Sequence, residues 1–210
     1  MTSTTASREE RILVLYGSQS GTAEAAAEKV CALLPEKVST TESTVQVVGP
    51  MALDDFLQDE AQLWTQTVLI IVSSFGMGHA PKNCRQFRKL CEAWTEHYSK
   101  TDEVTSGEDK TESKPLKGLQ FALLGLGSSF YKTYQKNPTI ICEGLEAAGA
   151  TLIGDKGSAD SSAGSTPQHE QIAEWRESIW KPLSEALNSL NPVLSEEQLK
   201  EMKIKTVVPS

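Results

Sequence analysis

A chain of 210 residues, 39% hydrophobic and 23% charged, has the size and composition of one well-packed globular domain. Its 20 basic and 28 acidic residues leave a net charge of −8, which argues against a nucleic-acid backbone as a direct ligand. No run approaches the ~18 apolar residues of a membrane helix, and the Ser/Thr-rich start lacks the apolar core of a secretory signal.

Short apolar runs alternate with helical patterns along the chain. Residues 1–10 read as a disordered tail and 12–16 as the first strand. A helix-forming stretch follows at 23–34, then a second strand at 44–48. Residues 67–72, rich in β-branched side chains, form the third strand. In 83–98, Phe87, Leu90, Cys91 and Trp94 recur at spacings of three and four, which predicts a helix with one buried face. The polar run 99–115 has no apolar face and reads as a surface insertion. A fourth strand at 120–126, a helix at 139–148, a fifth strand at 150–153 and a closing helix at 169–190 complete the domain, 11–190. Residues 191–210 read as a C-terminal tail or linker with a short amphipathic piece at 196–202. Strands apolar on both faces, alternating with helices, imply an α/β fold: a parallel sheet covered on both sides.

Cys31, Cys84, Cys91 and Cys142 form no Cys-x-x-Cys pair and lie at no metal-ligand spacing, so reduced thiols and a cytoplasmic location are expected.

The first chemical signal is the loop between strand one and helix one, Gly17-Ser18-Gln19-Ser20-Gly21-Thr22-Ala23. A strand turning into a helix leaves free backbone N–H groups at the positive end of the helix dipole, which suits phosphate. Ser18, Ser20 and Thr22 add hydroxyls. A nucleoside-triphosphate loop would continue Gly-Lys-Ser/Thr, and a dinucleotide fingerprint would need Gly-x-Gly-x-x-Gly; neither occurs here. What remains is an uncharged cradle for one phosphomonoester. A plain helix cap is the simpler reading of the loop in isolation.

In a doubly wound five-stranded sheet of order 2-1-3-4-5, ligand binds beyond the carboxyl ends of the strands. The loops after strands three and four therefore share the edge. They carry Ser74-Phe75-Gly76-Met77-Gly78-His79 and Leu126-Gly127-Ser128-Ser129-Phe130-Tyr131, each joining glycines to an aromatic, as holding a flat heterocycle requires.

These three loops resemble those of flavodoxins, and most of all the FMN domains of diflavin reductases such as NADPH–cytochrome reductases and the sulfite reductase flavoprotein. The resemblance covers about 11–187, including Trp175 and Trp180. It implies a three-layer α/β/α flavodoxin-like fold with bound FMN. Ser18–Ala23 would hold the phosphate, with Phe75 and Tyr131 flanking the ring. Ser74, Gly76, Met77, Gly78, Leu126, Gly127 and Tyr134 would complete the site, and Asp160 would lie near the ring edge. A carbonyl near Gly76 would turn toward the reduced flavin. The function implied is single-electron transfer from an NAD(P)H-dependent reductase to a haem or iron–sulfur protein.

The sequence departs from the family in the second loop, where Met77, His79 and Lys82 stand at places usually acidic. Fewer carboxylates near the flavin should ease its second reduction. Asp54, Asp55, Asp59 and Glu60 precede strand three, where the related reductases carry acids that face basic acceptors. Two alternatives stay open: a flavodoxin-like interaction module without redox turnover, and the flavodoxin-like domain of a larger enzyme such as a wyosine-tRNA synthase. A quinone reductase fits the third loop less well.

Overall fold

The computed structural model describes residues 8–38, 40, 43–58, 63–101, 114–190 and 192–205. Asp59 and Glu60, residues 1–7 of the expected tail, 102–113 of the expected insertion, and 206–210 lie outside the described residues.

The sheet runs β2 (Ser43–Ala52), β1 (Arg8–Gly17), β3 (Thr67–Ser73), β4 (Gln120–Gly127), β5 (Thr151–Leu152), all parallel. This is the expected 2-1-3-4-5 order. Side chains alternate across each inner strand, so both faces are apolar. Ile12, Val14, Leu69, Ile71 and Leu124 pack under α1 (Thr22–Lys37) and α5 (Ser165–Asn188). Leu13, Leu15, Val68, Ile70 and Leu123 pack under α2 (Leu53–Gln58), α3 (Arg85–Thr101) and α4 (Lys136–Ala147). A 3₁₀ turn, Lys82–Cys84, leads into α3.

Three features differ from the sequence reading. β2 does not stop at Val48 but continues through Gly49-Pro50 to Ala52, with a register shift opposite Val14. Proline is tolerated there because β2 is an edge strand. The fifth position is filled by two short strands in tandem: β5 pairs with the start of β4, and β6 (Gly157–Asp160) pairs with its end. Residues 157–160, expected as loop, thus belong to the sheet, and the indole of Trp175 fills the space beside Gly157, where any Cβ would collide with it. Finally, α6 (Glu196–Lys205) packs on the α3/α4 face through Leu199 and the buried Met202.

Gln66 ties this last segment down. Its amide donates to the carbonyls of Pro192 at 2.8 Å and Gly118 at 3.2 Å, and its Oε1 accepts the Leu194 N–H at 2.9 Å. None of the described helices is long and apolar enough to cross a membrane.

Candidate functional site

β1 ends at Gly17 and the chain enters α1 at Thr22, placing the Ser18–Gly21 turn at the carboxyl edge of the sheet. Gly21 caps α1 with φ of +89°, a conformation that a β-carbon disfavours. No side chain caps the helix, and the carbonyl of Gly21 accepts only the Ala25 N–H, at 2.9 Å. Among the described residues, the N–H groups of Gln19, Ser20, Thr22, Ala23 and Glu24 therefore meet no protein acceptor. The turn is held from outside: Ser18 N–H donates to Asn83 Oδ1 at 3.0 Å, and Gly21 N–H to Ser18 Oγ at 3.0 Å. Tyr16 donates its hydroxyl to Glu24 at 2.7 Å, giving the one carboxylate of the first turn a partner. Burial, then that carboxylate, push the Tyr16 phenol up to about 12, so the hydroxyl stays a donor.

The other two loops are stitched to this floor. Ser74 N–H donates to the Leu126 carbonyl at 2.7 Å, and Ser161 N–H to the Gly127 carbonyl at 2.8 Å. Gln135 and Asn137 at the start of α4 donate to the carbonyls of Gly125 and Ser73, each at 2.9 Å. Phe75 and His79 close the β3 loop through a short backbone bridge.

A cleft of about 310 Å³ opens between the three loops. Ser18, Gln19, Ser20, Thr22 and Ala23 line it from the first loop and the start of α1, Ser74, Phe75 and Gly76 from the loop after β3, and Leu126, Gly127 and Tyr131 from the end of β4 and the loop beyond it. Among the described residues, no Lys, Arg, Asp or Glu lines it. Among the residues expected at the site, Gly21, Met77, Gly78, Tyr134 and Asp160 do not line the cleft, each for a visible reason. Gly21 caps the helix, and Met77 is the exposed tip of its loop. Gly78 is covered by the stem of Lys136, and the Tyr134 ring backs Gly127. Asp160 is turned to its neighbours: it accepts the N–H groups of Ser129 and Ser162, both at 2.9 Å, and the Ser162 hydroxyl at 2.8 Å. Burial alone would raise its carboxyl, but those hydrogen bonds outweigh it and hold Asp160 down at about 2.

Sequence reasoning missed Ser73, Ser128, Ser161 and Gln168, which also line the cleft. Ser73 and Ser128 adjoin residues that were singled out. Ser161 and Gln168 follow from β6, whose pairing with β4 brings their loop to this edge. Gln168 donates to the Ala159 carbonyl at 3.3 Å. The predicted Gly76 carbonyl accepts the Thr133 hydroxyl at 3.3 Å, a protein partner that the sequence did not suggest.

The cradle suits a phosphomonoester. The free N–H groups of Gln19, Ser20, Thr22 and Ala23, at a helix N-terminus, and the hydroxyls of Ser20 and Thr22 supply donors in the cleft. Phe75, from the loop after β3, and Tyr131, from the loop after β4, both line the cleft and offer aromatic faces of the kind that hold a planar ring system.

Comparison with known proteins agrees. The flavodoxin family profile matches residues 14–175. NADPH–cytochrome P450 reductase of Aspergillus terreus is 28% identical over 84% of this chain and 24% of its own length. Methionine synthase reductase of Caenorhabditis elegans is 30% identical over 92% of this chain and 25% of its own length. The chain thus spans about a quarter of these curated relatives. An oxidised flavodoxin from Bacillus cereus has the same fold, with a TM-score of 0.52 at 15% identity, over 82% of this chain and 98% of that one. Flavodoxins and diflavin reductases bind FMN, and their electron-transfer domains are what this chain is related to. The chain belongs to the flavodoxin family.

Proposed function

We propose that the chain is an FMN-dependent carrier of single electrons, between an NAD(P)H-dependent reductase and a haem or iron–sulfur protein. The observation that carries this reading is the joining, in one cleft without charged lining among the described residues, of a donor-rich turn with two aromatics from separate loops, Phe75 and Tyr131. When bound, FMN supplies one-electron redox chemistry. The protein's part is to hold and tune it. The N–H groups of Gln19, Ser20, Thr22 and Ala23 and the hydroxyls of Ser20 and Thr22 would take the phosphate. Phe75 and Tyr131 would enclose the ring and keep water from its faces, with Ser74, Gly76, Leu126 and Gly127 forming the floor. Thr133, by holding the Gly76 carbonyl, would set how readily that peptide turns toward the ring.

In this reading residues 11–190 form the FMN domain, and α6 packs back on it through Leu199 and Met202. Three buried free thiols, Cys84, Cys91 and Cys142, all raised by burial, support a reducing compartment.

The test is reconstitution. The purified chain should take up one FMN, release it on denaturation, and pass electrons from a flavoprotein reductase to a haem protein in stopped flow. Protein that stays colourless and refuses added FMN would instead be an interaction module that kept only the fold.

A further inference from the structure

We propose that the rim of the cleft docks an acidic protein partner, one whose exposed redox centre is ringed by carboxylates around an apolar patch. The proposal rests on the carrier reading and names the partner chemistry for it.

The first observation is a local reversal of charge. From Ser74 to Arg88 and from Ser128 to Lys136 there is no Asp or Glu, although the whole chain carries a net charge of −8. Lys82, Arg85, Lys132 and Lys136 on these segments are exposed and make no ion pair among the described residues. None of them lines the cleft, so they are not placed to neutralise a bound phosphate.

The second observation is apolar exposure at the same edge. Met77 is 67% and Phe130 81% exposed, and with Tyr131 they make up nearly all the large exposed hydrophobic side chains among the described residues. Exposed aromatics beside a ligand cleft are the usual centre of a docking patch, with charges at its rim.

The third is rigidity. The two loops are clasped by the Thr133–Gly76 hydrogen bond and by the Lys136 stem over Gly78, and Arg88 on α3 holds the first of them by donating to the Gly78 carbonyl at 2.7 Å. A surface held this way loses little conformational freedom on binding.

Of the acidic run before β3, the two described residues, Asp54 and Asp55, do not offer a rival dock. Asp54 is turned inward, 6% exposed, and caps α3 by accepting the N–H groups of Gln86 at 3.1 Å and Phe87 at 2.9 Å. Asp55 is exposed but shares a shallow depression with Lys82 and Arg85. Asp160 at this edge is taken up by Ser129 and Ser162, so the exposed charges of these two segments are basic and their complement is negative.

Two haem proteins serve as probes: an acidic b-type cytochrome with carboxylates around its haem edge and a basic c-type cytochrome with lysines there. Each is titrated calorimetrically into the full chain, with and without FMN, at low and moderate salt. The acidic probe should bind about tenfold tighter at low salt and lose that advantage as salt rises. Lys82→Glu and Lys132→Glu should each weaken it by about two- to fivefold, and together reverse the preference. Phe130→Ala should weaken both probes, and Lys29→Glu on α1 should change neither. Tighter binding of the basic probe, or reversals without effect, would overturn the proposal. Flavin uptake is read separately by absorbance. A chain that refuses FMN yet selects the acidic probe would sink the carrier reading and leave the charge preference standing. A loaded chain that selects the basic probe would sink the docking proposal alone.

Discussion

At the amino end of β3 Thr65 and Gln66 meet protein partners, whereas at the carboxyl edge a run of backbone donors in the first loop and helix meets none among the described residues. Gln66 satisfies Gly118, Pro192 and Leu194 at once. Thr65 beside it accepts the Leu13 N–H at 3.0 Å and donates to the Thr67 carbonyl at 2.6 Å. Across the sheet, five N–H groups of the first loop and helix have no acceptor among the described residues. Buried groups at the first end would cost free energy if left unpaired, so that end carries stability. Groups at the second end face an open cleft, where a ligand completes them. The two ends divide the labour, and changes at one should leave the other largely untouched.

The largest effect is expected from Gln66→Ala. It strands two carbonyls and one N–H at the base of α6, which should cost about 3 kcal/mol of stability. Urea unfolding measures this, and hydrogen exchange should show 192–205 opening first. FMN affinity of the folded variant should stay within about twofold, since Gln66 lies at the far edge of the sheet. A large loss of affinity would break the division.

Next comes the cradle itself. Ser20→Ala with Thr22→Val removes two hydroxyls while keeping the backbone N–H groups. FMN affinity should fall about tenfold to hundredfold, because hydrogen bonds to a charged group are worth more than neutral ones. The apo protein's unfolding midpoint should barely move, because neither hydroxyl has a protein partner. Fluorescence quenching of FMN measures the first and urea titration the second.

The same division explains what the sequence made legible. The inner strands declared themselves because β-branched and leucine residues on both faces leave no other use for 67–72 or 120–126. The first loop was legible as a donor-rich turn because its glycines and hydroxyls sit between a strand and a helix. The clasp between loops was not, because Thr133, Gln135 and Asn137 look like ordinary polar loop residues until α4 is docked. β6 was hidden for another reason: Gly157-Ser158-Ala159-Asp160 has no β-former, and it is a strand only because β4 offers an unpaired edge and Trp175 covers it. Ser161 and Gln168 reach the cleft through β6, so missing the strand meant missing them. Asp54 shows the converse, where an acidic run placed like the partner-facing acids of related reductases contains a helix cap.

A smaller effect tests whether the rim tunes the site it surrounds. Met77 is exposed at the tip of the β3 loop, where the family usually carries acids. Met77→Glu should lower the potential of the flavin's second reduction by on the order of tens of millivolts, since a carboxylate nearby opposes added negative charge. Redox titration of both proteins decides this, and an unchanged or higher potential in the variant would refute it. The shift should shrink with salt, because the tip is in water.

The smallest expected effect concerns Asp160, which the sequence placed near the ring edge and the structure ties to Ser129 and Ser162. Its carboxyl is lowered from the ordinary 3.8 to about 2, so the folded state favours the charged form. The stability this supplies is therefore present above about pH 4 and is lost as pH falls through about 2. Asp160→Asn keeps an oxygen acceptor for both N–H groups and removes only the charge. At pH 7 it should cost less than about 1 kcal/mol, because solvent screens a group this exposed. The gap between wild type and variant should close as the urea midpoint is followed down to pH 2 to 3. FMN affinity should hold, because the carboxylate braces the cleft's outer loops without lining the cleft. A tenfold loss at neutral pH would instead put Asp160 at the flavin, and the stabilising and ligand-binding halves of the carboxyl edge would no longer be separable there.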